Sequence, residues 1–431
     1  MPGAMSRQTI QADLTWIGGA FAADRTITIG DDGRIEAIGG APAPARRLEG
    51  IALIPGFVSA HSHAFQRGLR GRAERFRSGT GSFWSWREAM YALVAELDRD
   101  GLGGLCRQAF GEMRDAGITA VGEFHYLHHD REEDFALDEI VLEAAAEIGI
   151  RLVLLQTYYS AGGIGRPLEP GQSRFATRDL DAYWRQMDRL AERLDPATQS
   201  LGVAAHSIRA AGLPEIKALH AEAGRRRLPF HIHLEEQRRE IEESIGAYAR
   251  TPMRLLCDEL DAGARLTAVH CTHSAPADMA AFLARGGGIC ICPLTEANLG
   301  DGIPDLSPAH TAGGRLSLGT DSNARMSMIE EMRWLEYGQR LRGELRGALA
   351  SPGGGVAVTA LDAATSGGAE ALGIGRGRIA PGEWADLVAV DLTAPALAGV
   401  PPEHLLDAIV FGAGNEVIGG TLVGGKWRRT G

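Results

Sequence analysis

Two His-x-His pairs, His61/His63 in FVSAHSH and His231/His233 in PFHIHLEE, are the strongest metal-ligating pattern in this chain. Each pair sits at the end of a short apolar run that reads as a β-strand. Alternate residues of a strand share a face, so His61 and His63 can turn the same way. Imidazole nitrogens plus one carboxylate suit a borderline cation such as Zn2+, with a position left open for water. Asp321 in LSLGTDSN follows another such run, and Gly319 before it permits close approach of backbone. Two histidines from the first strand, one from the fifth and this aspartate make a ligand set: His61, His63, His233 and Asp321. His231 faces away from His233 in a regular strand and reads as packing.

Proton-transfer groups lie beside these ligands. Glu236, three residues after His233, can reach the water and carry its protons. Its neighbour Glu235 reads as a solvated acid in the first turn of the helix that EEQRRE opens. His270 ends ARLTAVH and is placed to position or deprotonate the water, whereas His273 reads as structural. Tyr126, Tyr158, Tyr159, His206 and Arg209 follow the ends of other apolar runs. Phe83, Trp84 and Trp86 read as local packing in an amphipathic helix that also carries Arg87. Cys290 and Cys292, in GICICPL, read as strand core.

These residues need a scaffold that brings strand ends together. Between about 57 and 370, eight apolar runs alternate with amphipathic helices, from FVSAHSH to GGRLSLGTDSN. That alternation argues an α/β fold with a parallel sheet, and eight units favour a closed (β/α)8 TIM barrel over an open sheet. In a barrel all the carboxyl ends of the strands share one face. Residues 10–54 read instead as short strands with tight turns, with Asp31–Gly33 a hairpin signal. The C-terminal fragments DLVAVDL, DAIVFGAG and VIGGTLVGGKWRR read the same way. The expected organisation is a small β-sandwich domain built from both termini, 1–56 and 371–431, around a barrel of 57–370.

Composition narrows the function classes. The chain has 431 residues and a net charge of −11, which argues against nucleic acid as a partner. No window approaches a membrane span, and the N-terminus lacks the apolar core of a secretory leader. Five cysteines, few and odd in number, fit a reducing, cytoplasmic compartment. Only two of the 44 basic residues are lysines, Lys217 and Lys426. Lys217 lies in a surface-helix pattern, so a modified lysine bridging two metals has almost nowhere to sit.

The segments PGFVSAHSHAFQRGLRG, HIHLEEQRREIEE, HCTHSAPADM, LTEANLGDG and LGTDSN, in this order, resemble the amidohydrolase superfamily. SFWSWREAMY, GEFHYLHHD and MIEEMRWLEYGQRLRG are similar to its formimidoylglutamate deiminase branch. The resemblance implies one zinc ion per subunit, with Fe2+ or another divalent metal as an alternative, on His61, His63, His233 and Asp321. It implies catalytic roles for Glu236, His270 and Asp321, and contact of His206 with a formimino group. Arg209 would clamp substrate carboxylates, and Gln66, Arg87 and Tyr126 would add further contacts. The implied reaction is hydrolysis of N-formimino-L-glutamate to N-formyl-L-glutamate and ammonia in histidine degradation, by a homodimer. The competing expectations are a zinc deaminase of a purine, pyrimidine or triazine ring, a hydrolase of formylglutamate, and a metal-stabilised barrel with a binding role only.

Overall fold

The computed structural model of the chain describes all residues except 1–5, 40–45, 73, 75–78, 80, 131–133, 262, 264, 354 and 429–431. The first residues read above for a leader lie outside them. The N-terminal segment forms β1 (Gln8–Ile17), β2 (Ala20–Ala23), β3 (Thr26–Ile29), β4 (Ile35–Ile38) and β5 (Arg46–Pro55). The chain then enters eight strands in sequence order: β6 (Phe57–Ser62), β7 (Ile118–His125), β8 (Arg151–Tyr158), β9 (Gln199–Ala205), β10 (Phe230–Leu234), β11 (Leu266–His270), β12 (Gly288–Ile291) and β13 (Arg315–Leu318). Three C-terminal strands follow, β14 (Leu387–Asp391), β15 (Ile418–Val423) and β16 (Lys426–Arg428).

Strands β6 to β13 each pair in parallel with the next. Nearly all their residues are buried on both faces, which explains why they read as continuous apolar runs rather than alternating ones. The last strand returns to the first at the site itself. The His63 amide donates to the Asp321 carbonyl at 2.9 Å, the Asp321 amide donates to the His61 carbonyl at 3.1 Å, and Ser62 and Asp321 form a parallel bridge. Gly319 makes this possible: a Cβ there would lie 2.8 Å from both the His61 Cβ and the His61 carbonyl oxygen. The seam of the barrel is thus sewn by backbone of three candidate ligands.

The two chain ends share one mixed sheet in the order β16-β15-β14-β5-β1-β3-β4, with β2 paired to β1. Strand β5 bridges them, parallel to β1 and antiparallel to β14. Ile10, Ile27, Ile29, Leu53, Leu387 and Leu422 make a core separate from that of the barrel. Arg151, at the start of β8, reaches out to Asp386 at 2.8 Å and lies over the Trp384 ring, tying the barrel to this sheet. One C-terminal fragment differs from its sequence reading. DAIVFGAG is largely the end of a helix, Leu405–Gly412, and not a strand. Leu405, Leu406, Ile409 and Val410 are buried with helical spacing, and Arg333 donates to the Val410 carbonyl. A short apolar run fits either period, and packing against a neighbouring helix decides it.

Candidate active site

At the carboxyl ends of the strands, three imidazoles and a carboxylate converge. The Nε2 atom of His61 lies 3.2 Å from that of His63 and 3.1 Å from that of His233. Asp321 Oδ1 stands 3.4 Å from His61 Nε2 and 3.3 Å from His63 Nε2. Ligands held about 2.0–2.1 Å from a tetrahedral zinc stand roughly 3.3 Å apart, so these separations fit a shared cation. The far nitrogens agree. His63 Nδ1 bonds the Phe124 carbonyl and His233 Nδ1 bonds the His206 carbonyl, both at 2.8 Å. A carbonyl only accepts, so each Nδ1 carries the proton and each Nε2 presents a bare lone pair. Bare lone pairs packed this closely in a buried site call for a cation between them. Burial, outweighing the other influences, lowers the pKa of His61, His63 and His233, which keeps them in the neutral form that ligates.

His270 and Glu236 stand just outside this group. His270 Nε2 is 3.7 Å from Asp321 Oδ2 and 3.9 Å from Glu236 Oε1, and its Nδ1 is 3.4 Å from Glu296 Oε1. Burial raises the pKa of Glu236, against the opposing pull of His270 and Arg209. The backbone is strained here: Glu235, His270, Cys271, Asp321 and Asn323 have φ between +44° and +72°. Such non-glycine residues cost about 1–3 kcal/mol each, and half of all those found among the described residues fall at this one rim. Asn323 helps hold the bend by donating to the Ser62 hydroxyl and the His63 carbonyl, each at 3.0 Å.

A cavity opens from these groups. Its wall carries all five substrate-contact residues expected from the sequence, Gln66, Arg87, Tyr126, His206 and Arg209, together with His63, His233, Glu236, His270 and Asp321. Gln66 Nε2 donates to the Tyr126 hydroxyl at 2.8 Å, and its Oε1 is buried without a partner. Burial, then the charge of Arg209, drives His206 well below its ordinary pKa, so it stays neutral. Arg209 Nε donates to Glu240 Oε2 at 2.9 Å, while its Nη2 lies 3.8 Å from Glu236. Arg87 lies over the rings of Trp84 and Tyr91. Phe83 and Trp86, expected to be local packing, line the same cavity, because the helix Phe83–Glu96 forms its wall.

Other residues depart from their sequence reading or were not singled out by it. Glu235 is buried rather than solvated; it accepts from the Met253 amide at 2.8 Å and so caps the helix Pro252–Glu259. Burial pushes its pKa up to about 7. His231 points away from the cluster to the Ala371 carbonyl at 2.9 Å, as a regular strand requires. Lys217 pairs at the surface with Glu259, as its helix pattern implies. Glu296, whose segment PLTEANL resembles a pocket-mouth segment of the family, stands behind His270 instead of lining the cavity, and Glu240 carries no sequence signal. Glu123 accepts from the Ala64 amide, and burial pushes it up to about 8.

A second group, His125, His128 and Asp138, is also buried and compact. His128 Nδ1 is 2.8 Å and His125 Nε2 is 3.1 Å from Asp138 Oδ1, and Gln156 and Gln186 both donate to Asp138 Oδ2. A 2.8 Å contact is a hydrogen bond, shorter than two ligands of one tetrahedral ion stand from each other.

Comparison with known proteins agrees with this architecture. The amidohydrolase family profile matches residues 52–428. A formimidoylglutamate deiminase of Pseudomonas aeruginosa is 41% identical over 390 residues, covering 89% of this chain and 85% of that protein. A 5-methylthioadenosine/S-adenosylhomocysteine deaminase of Natronomonas pharaonis is 28% identical, covering 92% of this chain and 86% of the other. Among solved structures, an amidohydrolase from Brucella melitensis superposes with a TM-score of 0.91 at 32% identity, covering 98% and 95% of the two chains. In all of the described residues, no helix is long and apolar enough to cross a membrane.

Proposed function

This chain belongs to the amidohydrolase family, and from that premise we propose that it hydrolyses N-formimino-L-glutamate to N-formyl-L-glutamate and ammonia. The observation that carries the substrate class is the pair of guanidiniums, Arg87 and Arg209, on the wall of the cavity that the candidate ligands close. An arginine fork binds a carboxylate through two parallel hydrogen bonds, and a dicarboxylate substrate has a use for two of them.

His61, His63, His233 and Asp321 would hold one divalent ion, zinc by donor type. When bound, the ion supplies Lewis acidity, making water a usable nucleophile near neutral pH. Asp321 Oδ2 and His270 Nε2, 3.7 Å apart, hold the attacking water, and Asp321 takes its proton. The water oxygen adds to the electrophilic formimino carbon. Glu236, 3.9 Å from His270, relays both water-derived protons to the terminal nitrogen, the first from Asp321 as the adduct forms and the second from the adduct's hydroxyl, so that the C–N bond breaks, ammonia departs and the C=O bond forms. His206, kept neutral, and the unpartnered Gln66 Oε1 are suited to hydrogen-bond the amidine nitrogens. Arg209 and Arg87 hold the carboxylates, and Tyr126 contributes its hydroxyl to the wall.

A ring-deaminating activity is the second reading, favoured by the 28% identical relative and by the aromatic wall of the cavity. Ammonia release from N-formimino-L-glutamate, measured beside guanine, cytosine and methylthioadenosine, separates them. Turnover of the formimino compound alone is expected, and a comparable rate on a ring would refute the assignment. A cytoplasmic homodimer completes the proposal. Five buried free thiols fit a reducing compartment, and exposed Trp334 and Leu341 on one helix suit a partner surface. Light scattering at the mass of a single chain would contradict the dimer.

A further inference from the structure

Tyr159 and Gln172 have no part in the roles assigned so far, yet they settle which atoms the cavity wall offers to a ligand. Gln172 is buried in a short turn, Pro170–Phe175. The backbone amide of Glu169 donates to its Oε1 at 2.8 Å. An amide N–H can only donate, so the orientation of the Gln172 side chain is fixed and its NH2 faces the other way. That NH2 donates to two phenols, Tyr159 at 2.9 Å and Tyr91 at 3.2 Å. Both hydroxyls are therefore occupied as acceptors, and each retains its own hydrogen. Both tyrosines line the cavity with Arg87 and Arg209. Burial holds Tyr159 in its protonated form, so that hydrogen is present at any working pH.

Resting on the functional reading above, we propose that Tyr159 is a specificity residue whose hydroxyl donates to one substrate carboxylate alongside the arginines, and that Gln172 is the positioning residue that points it there. Tyr91 supplies a second, longer-held donor. A wall of arginine and phenol donors recognises an anion by geometry as well as charge, and rejects a neutral ring that cannot accept from all of them.

The test compares the metal-loaded wild type with Tyr159→Phe, Gln172→Glu and the double variant. Loss of one hydrogen bond to a charged group corresponds to about a 10- to 100-fold loss of binding. Tyr159→Phe is expected to raise KM for N-formimino-L-glutamate by that factor and to change kcat by less than about threefold. Gln172→Glu puts an acceptor where the amide NH2 was, turns the phenol hydrogens away from the cavity, and raises KM at least as much. In the double variant the two effects combine to less than their product. A structural lesion would instead lower kcat and the melting temperature together. Calorimetric binding of glutarate reads the same contact without turnover and weakens in Tyr159→Phe by the same factor. Unchanged KM and unchanged glutarate affinity in Tyr159→Phe, in an enzyme that turns over the formimino compound, would overturn this inference alone. Wild type that binds glutarate through Tyr159 but releases no ammonia would overturn the functional reading and leave the carboxylate site standing.

Discussion

Among the described residues are two buried groups of histidines and an aspartate, built from the same residue types and arranged differently. In His61, His63, His233 and Asp321, neighbouring nitrogens and oxygens stand 3.1–3.4 Å apart and face a cavity. In His125, His128 and Asp138, the carboxylate is taken up by direct hydrogen bonds from side chains around it. The difference lies in the far nitrogens. His63 and His233 give their Nδ1 protons to carbonyls and leave Nε2 bare. His128 points Nε2 at the Thr157 carbonyl, at 2.7 Å, and Nδ1 at Asp138, at 2.8 Å, so both of its nitrogens are taken up by neighbours inside the protein. Residue type alone therefore does not make a metal site. Unspent lone pairs and an opening do.

The comparison breaks most sharply if ligand removal has the same effect in both places. His61→Ala or His233→Ala should abolish both metal retention and ammonia release, read by elemental analysis and a continuous ammonia assay. Glu236→Gln should keep the metal and lower kcat by about 10²–10⁴-fold, the usual contribution of a general acid–base group. Glu240→Gln acts one contact further away. It weakens the grip on Arg209 Nε, so KM should rise roughly tenfold, the scale of one charge-assisted hydrogen bond, with metal content unchanged. Asp138→Asn should leave kcat and metal content within about threefold of wild type and lower stability by about 1–3 kcal/mol, measured by denaturant unfolding.

The same aspartate carries a pH signature. Burial pushes the Asp138 carboxyl up, but the neighbouring His128 and His125 outweigh it and hold the group well below the usual range. A carboxylate depressed in the folded state contributes stability above its unfolded pKa of about 4, and that contribution drains away as the pH falls below it. Wild type should therefore lose stability between about pH 4 and pH 2 more steeply than Asp138→Asn. Parallel melting curves for the two proteins would contradict the charged clamp.

The convergence of His61, His63 and His233 was legible in the sequence because strand period places His61 and His63 on one face and turns His231 away from His233. The eight strands were legible because parallel barrel strands are apolar throughout. What escaped depended on contacts across the fold. Gln172 acts on Tyr91, 81 residues earlier, and Glu240 on Arg209, 31 residues earlier, and no local pattern marks either. Glu235 read as a solvated acid because EEQRRE resembles a helix start, whereas a left-handed backbone turns it into the interior. Phe83 and Trp86 read as packing because their helix is amphipathic, and only tertiary placement makes it a cavity wall. DAIVFGAG carries an apolar run too short for its period to be decided.

The metal count per chain tests the central claim most directly. Elemental analysis of protein purified without added metal should give one divalent ion per chain in wild type and in Asp138→Asn, and none in His233→Ala. An ion that survives His233→Ala and disappears in Asp138→Asn would put the metal in the other cluster and contradict the account.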